Sequence, residues 1–194
     1  MALIAISGGI GSGKSVVAKI LSVKGYPVYD CDSRAKQIMD CDEAIHSSLC
    51  EYLHPRAVVE SVIDRKLISE IVFKDAEKLK TLNAIVHKAV FRDMRNWRKA
   101  NEPTSKSIVF VESAILRSSG LIDMVDEEWR VYAPLDVRIE RVMSRSAISR
   151  EQILERIKSQ KIDEDTKPSS GVPLSFIDNS PDVAILPQIY SLLK

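Results

Sequence analysis

The chain has 194 residues, 45% of them hydrophobic and 28% charged, with 28 Lys+Arg against 27 Asp+Glu. This length and balance suit one ordinary domain, with room for small inserted lobes, and exclude a wholly disordered chain. A net charge of +1 argues against a generic polyanion binder, so no nucleic-acid partner is expected. No run of about 18 apolar residues exists, so no membrane span is expected.

Residues 2–7 (ALIAIS) form a continuous apolar run bounded by glycine, the pattern of a strand buried on both faces. Apolar side chains at Val16, Val17, Ile20, Leu21 and Val23 follow with helical spacing, and Gly25 is the expected C-cap of a helix over 14–24. Residues 27–29 predict a short second strand ending at Asp30, and a helix is expected over 33–50. The stretch 55–102 is mostly helical, with segments near 65–73 and 75–101, and ends at Pro103. Strand signals return at 107–111 (SIVFV) and 129–133 (WRVYA). Helices are expected at 135–145 and 149–161, a loop at 165–173, a short strand at 176–177 and a helix at 182–193. Strands alternating with helices imply a parallel sheet, with the 55–102 block inserted between the second and third strands.

Cys31, Cys41 and Cys50 are odd in number and form no CxxC pair, so neither a disulfide framework nor a tetrahedral zinc set is expected, even with His46 and His54 nearby. Reduced thiols fit a cytoplasmic chain. The opening MALIAISGG lacks the basic segment and long apolar run of a signal peptide.

Residues 8–15 (GGIGSGKS) match G-x-x-x-x-G-K-[ST]. Such glycines let successive backbone N–H groups turn towards an anion, and the following helix adds its positive N-terminal end. Gly9, Ile10, Gly11, Ser12, Gly13, Lys14, Ser15 and Val16 are the candidate ATP-binding residues. Lys14 can reach the β- and γ-phosphates, and the Ser15 hydroxyl can ligate Mg²⁺, the expected metal cofactor. The buried strand before the motif and the amphipathic helix after it are its proper context.

No N/TKxD or DxxG string of a regulatory GTPase occurs, nor the LSGGQ of a transport ATPase. A small-molecule kinase remains. Asp30 and Asp32 stand at the end of the second strand, the edge where ligands bind in such sheets. Asp32 suits a general base for a hydroxyl, a role worth about 10²–10⁴-fold; alternatively Asp32 or Ser33 N-caps the next helix. Glu112 follows the third strand and either holds Mg²⁺ through water, steadies the substrate, or is a solvated strand end.

Residues 138–161 carry seven Lys/Arg against three Glu. Arg141 and Arg145 share a helix face and can clamp a transferring phosphoryl group, worth about 10³–10⁵ in rate. Arg138 and Arg150 read more simply as solvated. Leu79, Leu82, Val86 and Val90 form an apolar stripe expected in the core. Asn83 and His87 share the adjacent face, either as substrate contacts or as polar surface.

Together these pieces resemble the dephospho-coenzyme A kinase family over essentially the whole chain. The resemblance runs through ISGGIGSGKSVVAKIL, Asp30-Cys31-Asp32, Asp64-Arg65, IVFKDAEKLKTLNAIVHK, RIERVMSR, ERIKSQ and Ile177-Asp178-Asn179. Departures are Lys88 for the family's proline, Glu112 and Ala114 in its Asp-x-Pro stretch, Ser118 for a glutamate, and no Ala-Asp before the last strand.

The resemblance implies an α/β, three-layer P-loop kinase fold: a five-stranded parallel sheet, an inserted helical substrate lobe and a helical lid. The nucleotide-binding core would comprise 1–54, 104–134 and 164–194, the coenzyme A lobe 55–103 and the lid 135–163. ATP would phosphorylate the ribose 3′-hydroxyl of dephospho-CoA. Asp32, Lys14 and Arg141 would be catalytic. Arg145 and Asn179 would join the ATP site, with Ser180 beside it, and Asp32, Asn83, His87 and Glu112 would contact the substrate. No obligate protein partner is expected. A different nucleotide or nucleoside kinase, or a non-catalytic ATP-binding module, are the alternatives.

Overall fold

The apolar runs of the sequence become the strands of one parallel sheet. The computed structural model describes residues 1–102, 107–146, 148–160 and 171–194. In chain order these hold β1 (Ala2–Ser7), α1 (Lys14–Val23), β2 (Val28–Asp30), α2 (Cys31–Cys41), α3 (Glu43–Tyr52), β3 (Val58–Val59), β4 (Val62–Ile63), α4 (Arg65–Lys74), α5 (Ala76–Asn101), β5 (Ile108–Glu112), β6 (Glu127–Tyr132), α6 (Leu135–Arg145), α7 (Arg150–Ser159), β7 (Leu174–Asp178) and α8 (Ile185–Leu192). A 3₁₀ turn at Leu121–Met124, with no periodic signal of its own, precedes β6.

The described residues form two units, Met1–Asp30 with Asn101–Lys194, and Cys31–Ala100. In the first, the strand order is β2-β5-β1-β6-β7, every pair parallel. Central β1 is buried from Leu3 to Ser7, as its unbroken apolar run predicts. Ile4, Ile6, Phe110, Trp129, Val131 and Ile177 from four strands pack with Val17 and Leu21 of α1 and Ile189 of α8. Gly25 ends α1 as expected: Tyr26 N–H reaches Leu21 O and Gly25 N–H reaches Ser22 O, at 3.1 and 3.0 Å.

The second unit departs from expectation in three places. The helix expected over 33–50 is two helices, because Asp42 adopts an extended backbone and its carboxylate accepts from Ala44 N and Ile45 N. That is an N-cap, and it restarts the chain in a new direction. Within the block expected to be helical, residues 58–63 form a hairpin. Glu60 and Ser61 occupy its turn, with φ of +50° and +64°, the left-handed pair that a two-residue hairpin loop demands. Leu79 is 41% exposed; α5 buries Leu82, Ile85 and Ala89 against Ile45, Leu49 and Leu53 of α3, with Ile63 and Ile68. Of the expected stripe, Val90 is buried and Leu82 packs in this core, while Leu79 is not part of it. Residues 31–54, placed with the nucleotide-binding core on the sequence, lie in this helical unit, because α3 shares its core.

The other boundaries move by a few residues: β7 is longer than 176–177, and the last helix begins at Ile185. Pro103, Lys161 and most of the expected 165–173 loop lie outside the described residues. Among the described residues no helix is long and apolar enough to cross a membrane.

Candidate active site

The carboxyl ends of the strands and the loop between β1 and α1 carry the first unit's chemistry. Residues 8–13 leave β1 as a tight turn, with Ser12 N–H bonded to Gly9 O at 3.2 Å. Gly13, at φ 100°, ends the turn, and α1 starts at Lys14. Val16 N–H closes back on Gly13 O at 2.9 Å. The Lys14 ammonium donates to Gly8 O and Gly9 O, at 2.7 and 3.2 Å, and so lies along the loop. The Ser15 side chain is exposed on the first turn of α1.

Two elements distant in sequence close on this loop. The Asn179 amide, just past β7, donates to Ser12 O at 2.8 Å, and Arg141 Nη2 of α6 donates to Asn179 O at 2.9 Å. Arg141 Nη1 and Ser12 Oγ are buried with no hydrogen-bond partner among the described residues. Buried polar atoms normally find partners. Two orphaned donors beside a glycine-rich loop are a fit for the oxygens of a bound anion.

Asp30 and Glu112 end adjacent strands and are paired in register, with Ile6 opposite Glu112 on the other side. Glu112 is half-buried as the last residue of β5, not the residue after it. Mg²⁺ takes hard oxygen ligands and keeps several waters and phosphate oxygens. The Ser15 hydroxyl with the carboxylates of this edge suits that ion. No group of three or more acidic, His or Cys side chains is gathered for a metal among the described residues.

Asp32, Asn83 and His87 belong to the second unit. The helix α2 starts at Cys31, so Asp32 stands in its first turn, exposed, and neither Asp32 nor Ser33 is the N-cap. Asn83 is exposed on α5. His87 is half-buried and stacks on Phe91, ring centroids 6.3 Å apart, and burial lowers its pKa below the ordinary histidine value. A cleft of about 680 Å³ in this unit is lined by Arg34, Gln37, Ile38, Cys41 and Asp42 of α2 and the turn after it, with none of the three candidates. Arg34 instead makes a two-pronged contact with Asp93, Nε–Oδ2 2.9 Å and Nη2–Oδ1 2.6 Å, tying α2 to α5.

Arg145 is exposed, and Arg150 pairs with Asp136 at 3.4 Å on the surface. Arg138 is not solvated: it is 8% exposed and its Nε donates to Ile10 O at 2.9 Å. Gln160, which no spacing singled out, accepts from Ile10 N–H at 2.9 Å. Both belong to the surroundings of the phosphate loop. Their signal lay in the same basic helices, but nothing in the spacing told inward from outward positions.

The family model for dephospho-CoA kinase matches residues 2–183. The chain belongs to the dephospho-CoA kinase family. A dephospho-CoA kinase of Bacteroides fragilis is 36% identical over 190 residues, 98% of this chain and 90% of the relative. A crystal structure from Thermus thermophilus superposes with a TM-score of 0.82 at 33% identity, covering 99% of this chain and 95% of that one. A dephospho-CoA kinase from Campylobacter jejuni, 24% identical, shares the fold with a TM-score of 0.69, covering 98% of this chain and 94% of that one. The five-stranded parallel sheet expected on the sequence is the fold of this family.

Proposed function

We propose that the protein transfers the γ-phosphoryl group of ATP to the ribose 3′-hydroxyl of dephospho-CoA, giving CoA and ADP. The observation that carries this is the pair of unsatisfied buried donors, Arg141 Nη1 and Ser12 Oγ, at the glycine-rich loop of a chain belonging to this family.

The loop over residues 9–16, shaped so that its backbone turns around an anion, and the Lys14 ammonium take the β- and γ-phosphates of ATP. Asn179 sits at the nucleotide end of the loop. Mg²⁺ would be held by the Ser15 hydroxyl together with the nucleotide, and would supply neutralisation of the phosphate charge. The 3′-hydroxyl oxygen bonds to the γ-phosphorus as the bond from that phosphorus to the β–γ bridging oxygen breaks. The electron pair leaves with ADP, and the hydroxyl proton passes to Asp32. Arg141, with Arg145 on the next turn, offsets the charge spread over the equatorial oxygens. Glu112, Asn83 and His87 orient the acceptor. His87 does so as the neutral ring, because its lowered pKa keeps it uncharged at pH 7. Three free thiols suit a reducing, cytoplasmic setting.

The test is mass spectrometry of the product from purified protein, Mg-ATP and dephospho-CoA. One added phosphoryl group, in a product that comigrates with CoA, is the expected result. ADP formed only with another nucleoside or nucleotide acceptor would assign a different kinase, and ATP binding with no ADP under any acceptor a non-catalytic module. In the same assay Asp32→Asn is expected to lower turnover about 10²–10⁴-fold with little change in the KM for ATP. Full turnover in that variant would remove Asp32 from the base role.

A further inference from the structure

The peptide groups on both sides of Ile10 are held by the two helices that follow β6. Its N–H donates to Gln160 Oε1 at the C-terminal end of α7, and its C=O accepts from Arg138 Nε of α6, both at 2.9 Å. The Ile10 side chain packs against the small core of these helices, Ile139, Val142 and Ile153. The contact leaves no slack at the next residue, where a Cβ on Gly11 would overlap the carbonyl oxygen of Arg138. The rim of the phosphate loop is therefore clamped from two helices through one residue.

We propose that Gln160, with Arg138, is a positioning residue for ATP: it fixes the Ile10 peptide so that the loop is already shaped for phosphate before nucleotide arrives. The inference rests on the reading that residues 8–15 bind ATP. A free glycine-rich loop loses conformational entropy on ligation, and holding it in the bound shape removes that cost from the binding free energy. Gln160 is the C-cap residue of α7, and its amide oxygen accepts from the Ile10 N–H. Arg138 serves the neighbouring carbonyl. Neither side chain touches a reacting group in this account, so their contribution falls on nucleotide affinity and not on the chemical step.

Three proteins decide the matter: the wild type, Gln160→Met, which keeps length but loses the acceptor, and Gln160→Glu, which keeps an acceptor oxygen. Amide hydrogen exchange of the nucleotide-free proteins is read at Ile10. The Met variant is expected to exchange there about three- to tenfold faster, the worth of one net hydrogen bond, and the Glu variant to retain protection. Kinetically, the KM for ATP in Gln160→Met rises by a similar factor while kcat and the KM for dephospho-CoA hold, the signature of lost uniform binding. A merely structural role would lower the active fraction, and hence kcat, with an unchanged KM for ATP; that result overturns the proposal. So does unchanged Ile10 exchange in Gln160→Met. Failure of the wild type to bind ATP would instead sink the reading of the loop, and the exchange measurement separates the two.

Discussion

Gly13 has no room for a side chain. It sits at φ 100°, and a Cβ there would overlap the amide nitrogen of Asn179, which is committed to Ser12 O. An L-residue in this backbone region costs about 1–2 kcal/mol, and displacing Asn179 forfeits a hydrogen bond worth about 1 kcal/mol net. Asn179 also carries the carbonyl that holds Arg141, so the disturbance reaches that guanidinium. Gly13→Ala is expected to weaken ATP binding at least about tenfold, the equivalent of about 1.4 kcal/mol. Titration calorimetry with Mg-ATP reads this directly; unaltered affinity would mean that Asn179 moves aside without disturbing the loop. At this scale the glycine-rich turn between β1 and α1 was legible, because its residue types and spacing announce it. Arg138 was not. Whether an arginine at the start of an amphipathic helix points to water or to a loop carbonyl depends on what packs there, and Ile10 is 128 positions away.

At the scale of elements, the strands and long helices followed from apolar periodicity, and the misses have local causes. Asp42 stands in the middle of the helix expected over 33–50, yet its carboxylate takes two backbone N–H groups and divides α2 from α3. An Asp followed by Glu43 and an apolar run is an N-cap signal, so this break was present in the sequence. The β3–β4 hairpin was harder to find. Its strands have two residues each, too few to show alternation, and its turn uses Glu60 and Ser61 where Asn-Gly would have announced it. The face of α5 was legible in part: Leu82 and Val90 are in the core as expected, but Ile85 and Ala89, equally apolar, pack there and Leu79 does not. Only the position of α3 selects between them.

For the sheet unit as a whole, a charged cluster in the interior ties stability to pH. Glu128 of β6 is 1% exposed and accepts from Ser7 Oγ at the root of the phosphate loop. Arg117 Nη1 and Arg130 Nε also donate to it, at 3.1 and 3.0 Å, and both guanidiniums are largely buried. Burial pulls the Glu128 pKa upward, but the hydrogen bonds from Arg117, Arg130 and Ser7, with the charge of Arg130, outweigh it and leave the pKa below the ordinary glutamate value. The folded state therefore holds fewer protons here than the unfolded chain does. The stabilisation is full above the unfolded value of about 4.3 and is lost as pH falls through the lowered folded value. Glu128→Gln removes the buried negative charge that both guanidiniums meet here, and breaking a buried ion pair from one side typically costs about 3–5 kcal/mol. For a chain of this size that is a drop in Tm of about 6–20 °C at pH 7. Below about pH 4 the unfolded wild type takes up a proton here while the folded protein resists it, so the gap between the two proteins should narrow. Calorimetric melts at pH 7 and in that acid range check both parts. An equal gap at the two pH values would mean that Glu128 contributes through packing and neutral hydrogen bonds, and that the charge at the root of the phosphate loop is not what holds it.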